Sequence, residues 1–518
     1  MLRSIVATLW LFHALMADCL ADDRASALQT ILETSLAELD APGISAAVIF
    51  PDSELWVGTA GKAAEGVAVS SDMVFEVGSI TKLYTAATVL VLADQGLIEL
   101  DERLARWLPD FRESDQVTVR QLLQHTSGLY NVHDDPEFMP QLFMDPTRRW
   151  QVEEVLELVR EPYFPAGQGW HYSNTNYLLL GLIIEKASGQ SVAEAMRELL
   201  FEPLDLQSTW FAADERVTGP RAHAFMDFTG DDIADDITAM MPDTAFLTAH
   251  SSAGAIMASS ADVARFIQAL FTGRLLSAAM QAELLSFVDR PDGKQYGLGV
   301  LREQFDGTTV FGHRGNSIGF SAVAWHAPEL DISVSILANV HAMVIHPADH
   351  RLLLAARGDT RRLQAAETGP LSQARASLDS EDYEAVIRSL EPEVAANPDN
   401  RQALIMLSRA YISSLSARSP VRTYRRSQAL IEHLNHAIEL EPGDSEPYWL
   451  LMNFYLQAPA MVGGDRDKAL SIAESLVEID REWGYRSLER YYRQTRQQAK
   501  ADHYAELLAG ATESQNND

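Results

Sequence analysis

The segment VGSITKL, residues 77–83, contains a serine hydroxyl and a lysine amine three positions apart. Positions i and i+3 share one face of a helix, so Ser79 and Lys82 would point into the same space if a helix begins at Ser79. The chain has 6 lysines against 35 arginines, and it keeps a lysine at this position. A buried amine can lose its proton and then accept one from a hydroxyl, whereas a guanidinium stays charged. The segment therefore predicts a serine nucleophile with a lysine partner.

An apolar helix is predicted to follow this segment. Small and aliphatic residues recur every three or four positions from Leu83 to Ala93, and Gly96 can end the helix. In the first turn Ser79 would lie at the positive end of the helix dipole, near unpaired backbone N–H groups that can stabilise an oxyanion. Read alone, Ser79 is also compatible with an ordinary helix N-cap, and Ser-x-x-Lys arises by chance. The catalytic interpretation therefore depends on partner residues elsewhere in the chain.

Length and charge limit the classes of protein to consider. With 518 residues and 47% hydrophobic residues, the chain is long enough for two or more domains. Its formal net charge of -32 argues against binding to nucleic acid or to anionic membrane surfaces, both of which require basic patches. No run of eighteen or more apolar residues follows the first segment, so no membrane span is expected.

The first 21 residues have the pattern of a signal peptide. Arg3 precedes a short apolar stretch, and the triplet CLA at 19–21 fits a cleavage site after Ala21. The one cysteine, Cys19, lies within this segment, so the mature chain would form no disulfide. A lipid anchor on Cys19 is the alternative, although the residues before it match such a site poorly. We therefore expect a secreted or periplasmic protein.

A second polar segment, HYSN at residues 171–174, follows a Pro-Gly turn and precedes a predicted helix from Tyr177 to Lys186. On an extended segment, Tyr172 and Asn174 project to the same side. A tyrosine near Lys82 would have its pKa lowered by the positive charge, and the amide of Asn174 could hold a substrate amide.

A third segment, FGHRGNSIGF, occupies residues 311–320. Gly315 would let a substrate backbone lie against a strand edge, and the N–H of Asn316 would be a second oxyanion donor beside that of Ser79. His313 would lie at the rim of the site as a hydrogen-bond donor or a charge. Two alternating apolar runs follow and are predicted to be neighbouring antiparallel strands, Ser321 to His326 and Ile332 to Leu337.

Taken in order, Ser-x-x-Lys, Tyr-x-Asn and His-x-Gly resemble the serine β-lactamase and penicillin-binding protein family. The segments LLQHTSGL at 122–129, SAGAIMASSAD at 252–262 and YGLG at 296–299 are similar to the branch with class C β-lactamases, D-aminopeptidases, DD-carboxypeptidases and esterases. The resemblance covers roughly residues 25 to 350. It implies a central antiparallel sheet packed against helices, with a mostly helical lobe across the cleft.

The resemblance also implies an acyl-enzyme on Ser79, with Lys82 and Tyr172 sharing the proton transfers. Which of these two is the general base stays open. The backbone N–H groups of Ser79 and Asn316 would hold the oxyanion. His125 would serve the structure without a chemical role. The substrate-binding residues implied by the family are Asn174, His313, Gly315 and Asn316.

One departure from the family concerns the substrate. Class C β-lactamases and many penicillin-binding proteins carry Lys-Thr-Gly where this chain has His313-Arg314-Gly315, as do many esterase-like and peptidase-like relatives. Whether β-lactams are hydrolysed efficiently or only bound therefore stays open. Strand alternation would point Arg314 away from the side of His313.

No metal or other cofactor is expected. The serine mechanism needs none, and the one cluster with plausible ligand spacing lies near a solvated segment. That cluster consists of His341, His346, Asp349 and His350.

From about residue 379 the pattern is continuously helical and resembles tetratricopeptide repeats. Two similar turns contain Pro398 and Pro442, which are 44 positions apart, instead of about 34 in such repeats. An insertion at Ser416 to Thr423 would explain the difference, Pro392 is expected to interrupt the first helix, and a generic helical bundle is the alternative. The predicted helices are Tyr383 to Ala396, Arg401 to Ser414, Tyr424 to Leu440, Pro447 to Leu456, Arg466 to Ile479 and a final pair through Leu508.

We therefore predict a signal peptide at 1–21, a β-lactamase-related hydrolase domain at 22–353, a linker at 354–378 and a tetratricopeptide-like domain at 379–513. The first functional hypothesis is an exported serine hydrolase that acts on an ester, a peptide ending in a D-residue or another amide. The alternative is a catalytically inactive member that binds peptidoglycan fragments or a protein partner. Stacked helix pairs could dock such a partner in either case. The substrate stays open.

Overall fold

The computed structural model describes most of the chain and leaves out the predicted signal peptide. The described residues form two compact units, which divide between residues 359 and 360. The described ranges are 24–36, 41–226, 234–290, 294–305, 307–340, 348–358, 370–371, 374, 383–414, 420–459, 463–495 and 497–515.

The first unit contains fourteen strands in its described part. They are β1 Gly43–Ile49, β2 Leu55–Ala64, β3 Val67–Ala68, β4 Phe75–Glu76, β5 Thr209–Phe211, β6 Phe225–Met226, β7 Asp235–Asp236, β8 Ile256–Ala258, β9 Val288–Asp289, β10 Gln295–Tyr296, β11 Leu301–Phe305, β12 Thr308–Ser317, β13 Phe320–Ala327 and β14 Ile332–Ala338. Nine of them form one antiparallel sheet in the order β3-β2-β1-β14-β13-β12-β11-β10-β9, and two smaller sheets have the orders β4-β8-β5 and β6-β7.

Helices accompany the sheet throughout this unit. They are α1 at 24–36, α2 Thr81–Asp94, α3 Val119–Leu123, α4 Phe138–Met144, α5 Val152–Leu156, α6 Asn174–Ser188, α7 Val192–Met196, α8 Thr244–His250, α9 Ser260–Phe271, α10 Ala278–Leu284 and α11 Ala348–Ala356. The last of these ends inside the segment predicted to be a linker.

The central strands are covered on both faces. Every residue of β1, β13 and β14 is buried, including the serines that alternate with apolar residues in β14. Helix α9 is tied to one face by Ser260, whose Oγ lies 2.8 Å from the Oγ of Ser45 and whose carbonyl accepts a hydrogen bond from Ser335. The predicted pairing of β13 with β14 is confirmed, with His326 opposite Ser333. The predicted mixed α/β architecture is also confirmed.

The second unit is helical in its described residues, and each helix packs against the next along the chain. Its helices are α12 Tyr383–Ala396, α13 Arg401–Ser414, α14 Pro420–Leu440, α15 Ser445–Gln457, α16 Arg466–Ile479, α17 Arg481–Gln494 and α18 Gln498–Gln515. No described helix is both long enough and apolar enough to cross a bilayer.

The predicted interruption of the first of these helices is wrong. Pro392 lies inside α12, which continues to Ala396. The proline ring removes one backbone N–H from the helix. Val386 and Leu390, both 0% exposed, bury the apolar face of α12 in the core of this unit. Tertiary packing of that face therefore outweighs the local cost of the proline.

Candidate active site

Ser79 lies in a tight turn at the start of α2. A 3-10 turn spans Gly78–Ile80, and the α-helix begins at Thr81, two residues later than predicted. Gly78 has φ +51, and a Cβ placed there would lie 2.3 Å from the carbonyl oxygen of Asn316. Only glycine therefore allows β12 to approach this turn so closely. Ser79 is half-buried between the helix start and the strand.

Lys82 lies one turn further into α2 and is 0% exposed. Its Nζ makes three hydrogen bonds, to Ser79 Oγ at 3.0 Å, to Asn174 Oδ1 at 2.7 Å and to the carbonyl oxygen of Ala253 at 2.9 Å. All three partners are neutral oxygen atoms. Burial without a carboxylate partner lowers the pKa of Lys82 well below its usual value. The amine can therefore be neutral in the resting protein.

The hydrogen bonds of Lys82 determine which way its lone pair points. The amide oxygen of Asn174 and the carbonyl of Ala253 can only accept, so each takes one N–H of the neutral amine. The remaining position on Nζ faces the hydroxyl of Ser79. A neutral Lys82 is thus oriented to accept the Ser79 proton.

Asn174 is itself held in one orientation. It is the first residue of α6, and its backbone N–H donates to Asn131 Oδ1 at 2.9 Å. The Nδ2 of Asn131 in turn donates to Asp134 Oδ1 at 3.0 Å. Asn131 is 0% exposed. The side-chain Nδ2 of Asn174 also donates to Asn131 Oδ1 at 3.5 Å, which leaves the Oδ1 of Asn174 directed at the lysine.

Tyr172 contacts the lysine through its ring face, with Lys82 Nζ 4.8 Å from the ring centroid. Its buried hydroxyl interacts with Ser79, although the two oxygen atoms do not have full hydrogen-bond geometry. Burial raises the pKa of Tyr172 above its usual value, and Ser79 and Arg290 offset only part of that rise. The expected lowering of the pKa is therefore wrong, because burial dominates and the amine lies over the ring. The phenol stays neutral at pH 7.

His313 lies inside the protein instead of at the rim, with only 3% of its surface exposed. Its Nδ1 bonds the carbonyl of Arg314, and its Nε2 lies 3.1 Å from the hydroxyl of Tyr296. Burial, followed by the charge of Lys82, lowers the pKa of His313 to about 3. The ring is neutral at pH 7, so the sequence-based expectation of a rim charge is wrong.

Gly315 is required by the close approach of β12 to the Ser79 turn. A Cβ at this position would lie 1.9 Å from the carbonyl oxygen of Val77, so any side chain would push β12 away from the Ser79 turn. Arg314 points to the other face, as predicted, where its guanidinium bonds Glu303 at 2.9 Å. The register of β12 with β11 runs from Thr308 to Gly312. The next residues of β12 are those that lie against the turn.

His125 links the site to the segment before α6. Its Nδ1 accepts a hydrogen bond from the backbone N–H of Ser173 at 3.1 Å. The same nitrogen lies 3.2 Å from Asn176 Nδ2. Its ring is 0% exposed and stacks at 4.3 Å from the ring of Tyr172. Burial lowers the pKa of His125 well below its usual value, so the ring is neutral. These contacts hold Tyr172 against the lysine.

The structure thus brings together all seven residues predicted from sequence. It adds Ala253, Asn131, Tyr296 and Arg290, which the sequence patterns did not assign to the site. Ala253 and Tyr296 lie in two segments that carry the family resemblance, so their position was signalled without a role. Arg290, whose guanidinium lies 4.6 Å from the Trp170 ring centroid, had no sequence signal.

The candidate metal cluster is only partly described. His341 and His346 lie outside the described residues, and Asp349 accepts a hydrogen bond from Trp325 at 3.0 Å. Within the described ranges, no three histidine, aspartate or glutamate side chains are grouped as metal ligands would be.

Comparisons with known proteins concern the first unit. Residues 28–357 match the Beta-lactamase family. Penicillin-binding protein 4 of Amycolatopsis lactamdurans is 30% identical over an alignment of 344 residues, and the match covers 61% of this chain and 84% of that protein. Penicillin-binding protein 4* of Bacillus subtilis (strain 168) is 29% identical over an alignment of 271 residues, and the match covers 49% of this chain and 58% of the relative. A D-stereospecific amidohydrolase from Streptomyces sp. has a solved structure with 29% identity and a TM-score of 0.56, covering 64% of this chain and 98% of the amidohydrolase.

Proposed function

We propose that this chain, which belongs to the beta-lactamase family and is a serine hydrolase, forms an acyl-enzyme on Ser79 with esters or with amides of D-residues. The observation that carries the proposal is the 3.0 Å hydrogen bond between Ser79 and a fully buried Lys82. The Streptomyces relative is a D-stereospecific amidohydrolase, which supports the D-residue arm.

Acylation follows from the orientation of the amine. Neutral Lys82 accepts the Ser79 proton as Oγ forms a bond to the carbonyl carbon of the substrate. Its two N–H groups remain bonded to Asn174 and Ala253, so the amine does not turn during the transfer. The backbone N–H groups of Ser79 and Asn316 stabilise the tetrahedral oxyanion.

Collapse of the tetrahedral intermediate requires a proton on the leaving group. Tyr172 is a neutral phenol beside Ser79, so it can donate its O–H to a leaving amine or alkoxide. The Lys82 ammonium, formed in the first step, then returns a proton to the phenolate. The same pair activates a water molecule that hydrolyses the acyl-enzyme. Lys82 and Tyr172 therefore act as one coupled acid–base pair.

The neutral His313 bears on the substrate class. A lysine at this position would offer a positive charge to a substrate carboxylate, whereas His313 has a pKa of about 3 and both ring nitrogens already bonded. Neutral esters and amides are therefore favoured over penicillins, which carry a carboxylate. Asn174 contributes by holding the lysine as well as by facing the substrate.

We also propose the finer features predicted from sequence for the remainder of the chain. These are export directed by residues 1–21, with cleavage after Ala21, and a hydrolase domain at 22–353. The helical unit at 379–513 would be tetratricopeptide-like and would dock a protein or peptide partner, after a linker at 354–378. The consecutive packing of α12 to α18 supports the repeat arrangement.

The test measures the intact mass of the wild type and of Ser79→Ala after exposure to p-nitrophenyl acetate, an N-acetyl-D-alanine anilide and a penicillin. We expect turnover of the ester and the anilide, or a mass increase equal to the acyl group, in the wild type only. Ser208→Ala, a change at a residue remote in sequence from the site, is the matched control and should retain activity. Equal turnover by wild type and Ser79→Ala would refute the nucleophile. Faster acylation by the penicillin than by the ester would refute the substrate class.

A further inference from the structure

A cavity of about 350 Å³ opens at the end of β12, beyond Ser317. Its volume lies within the range of small-molecule pockets. Most of its lining is apolar and comes from separate parts of the chain: α4, the segment between β7 and α8, α8 itself and the turn between β12 and β13. The main contributors are Leu142, Ile237, Met241, Phe246, Ile318 and Phe320.

Two of the residues that line this cavity are within a few chain positions of Ser79 or of its neighbour Asn316. Glu76 lines the cavity three residues before Ser79 and accepts a hydrogen bond from the hydroxyl of Ser317. Ile318, another lining residue, is two positions beyond Asn316, whose backbone lies against Gly78. Because a strand rises about 3.3 Å per residue, a substrate group that extends along β12 past Asn316 meets the cavity two residues later, at Ile318.

The charged groups in the cavity wall are already neutralised. Arg221 forms an ion pair with Asp243, and His223 bonds Asp236 at 2.7 Å. Burial, followed by the charge of Asp243, raises the pKa of Glu76 to about 8, so its carboxyl group is protonated at pH 7. The described part of the wall therefore offers no unpartnered charged group to a ligand, and a charged group entering it would lose its hydration without compensation.

Exposed apolar side chains lie next to the lining residues in sequence. Met144, at the end of α4, is 85% exposed, and Met240, beside the lining residue Met241, is 56% exposed. Isolated exposed apolar residues are ordinary, but both of these lie within two positions of a lining residue of one apolar cavity.

The proton donors indicate which part of the substrate faces the cavity. The ring of Tyr172 lies 6.3 Å from that of His313, toward the opposite end of the β12 segment from Ile318. A leaving group must receive its proton at that end. The group on the other side of the scissile carbonyl, the acyl group, then extends toward Ile318 and the cavity.

We infer that this cavity binds the acyl group of the substrate and selects an uncharged, apolar one, such as a medium-length aliphatic chain or an aromatic ring. The inference rests on the proposed function and specifies its substrate class.

The test uses p-nitrophenyl esters of acetic, butanoic, hexanoic and octanoic acids, with the 6-aminohexanoic ester as a cationic counterpart. All share one leaving group, so differences in kcat/KM report the acyl side. Burial of each methylene is expected to raise kcat/KM by up to about fourfold until the cavity is filled. The cationic ester should lose at least tenfold relative to the hexanoic ester.

Two variants change the cavity in opposite directions. Ala245→Phe fills it from α8 and should lower the ratio of hexanoic to acetic ester turnover at least tenfold. Phe246→Ala enlarges it and should move the preferred chain length upward. Ala279→Phe, at an exposed position of α10, is the matched control and should leave the ratio unchanged. The ratio of hexanoic to acetic ester turnover does not depend on the fraction of active protein, so partial misfolding does not change it. Thermal unfolding of all variants shows directly whether each one folds.

The inference would be overturned by equal kcat/KM across the ester series, or by an equal hexanoic-to-acetic ratio in both cavity variants and the wild type. In that case, Ser79-dependent hydrolysis of the acetic ester would still support the proposed function. Hydrolysis that persists in Ser79→Ala would overturn the proposed function and this inference together. A length preference that shifts downward in Ala245→Phe and upward in Phe246→Ala would support the cavity as the acyl site.

Discussion

Replacing Lys82 by methionine removes the amine while keeping an unbranched side chain of similar length. General base catalysis typically contributes about 10²- to 10⁴-fold, which corresponds to about 3–5 kcal/mol of transition-state stabilisation. We expect acylation of Ser79, measured as kcat/KM, to fall within that range. The loss of three hydrogen bonds from Nζ leaves two buried acceptors, on Asn174 and Ala253, without this partner.

The same substitution has a modest expected effect on stability. Each unpaired buried acceptor costs about 1–3 kcal/mol, but a fully buried amine is also removed, and its burial was costly. The two effects oppose each other, so the free energy of unfolding should change by less than about 2 kcal/mol. Activity and stability are therefore expected to separate, which thermal unfolding and kinetics on one preparation will show.

The pH profile provides a second readout. Because burial lowers the pKa of Lys82 well below its usual value, the neutral, proton-accepting fraction rises with pH until the amine is fully deprotonated. Acylation by the wild type should rise over the pH range in which Lys82 loses its proton, and then level off. This rise should be absent in Lys82→Met. The matched control is Lys62→Met, at an exposed position of β2, which should behave as the wild type does. Acylation by Lys82→Met within threefold of the control, or an unchanged pH rise, would refute the reasoning.

Three further outcomes are expected. Tyr172→Phe removes the group that protonates the leaving group, so anilide hydrolysis should fall about 10²-fold. Hydrolysis of p-nitrophenyl esters should fall less than tenfold, because their leaving group needs no proton. Equal losses for the two substrates would contradict this role of Tyr172. Gly315→Ala forces a Cβ against the carbonyl of Val77 and should lower the free energy of unfolding by about 3 kcal/mol in urea denaturation. Gly443→Ala, which meets no atom within 4 Å, is its control, and equal stabilities of the two variants would show that the contact is relaxed. Burial raises the pKa of Glu76 from 4.5 to about 8, so the folded protein keeps a proton that the unfolded chain releases, and stability falls by roughly 4 kcal/mol as pH rises through that interval. Glu76→Gln should flatten this dependence in thermal unfolding between pH 5 and 8, and an unchanged slope would count against it.

The helices and strands could be predicted from the sequence because the apolar patterns that identify them involve residues close together in the chain. The apolar periodicity after Ser79, the alternating runs of β13 and β14 and several helices of the second unit were recognised with bounds within a few residues. Pro392 is the exception, since its effect on α12 depends on the burial of Val386 and Leu390 by other helices. A packing contribution from residues distant in sequence is not visible in a local pattern.

Sequence by itself determined the residue types that could carry the chemistry: a serine and a lysine one helical turn apart, a Tyr-x-Asn segment, and a glycine beside the predicted oxyanion donor. Tertiary structure alone decided their protonation and orientation. Lys82, Tyr172 and His313 all have pKa values set by burial, which reversed the expectation for the tyrosine and ruled out the charged alternative for the histidine. Burial is a property of every element packed around a group, and it depends on contacts between residues far apart in the chain. The two bonds that direct the lone pair of Lys82 toward Ser79, to Asn174 and Ala253, arise from such contacts.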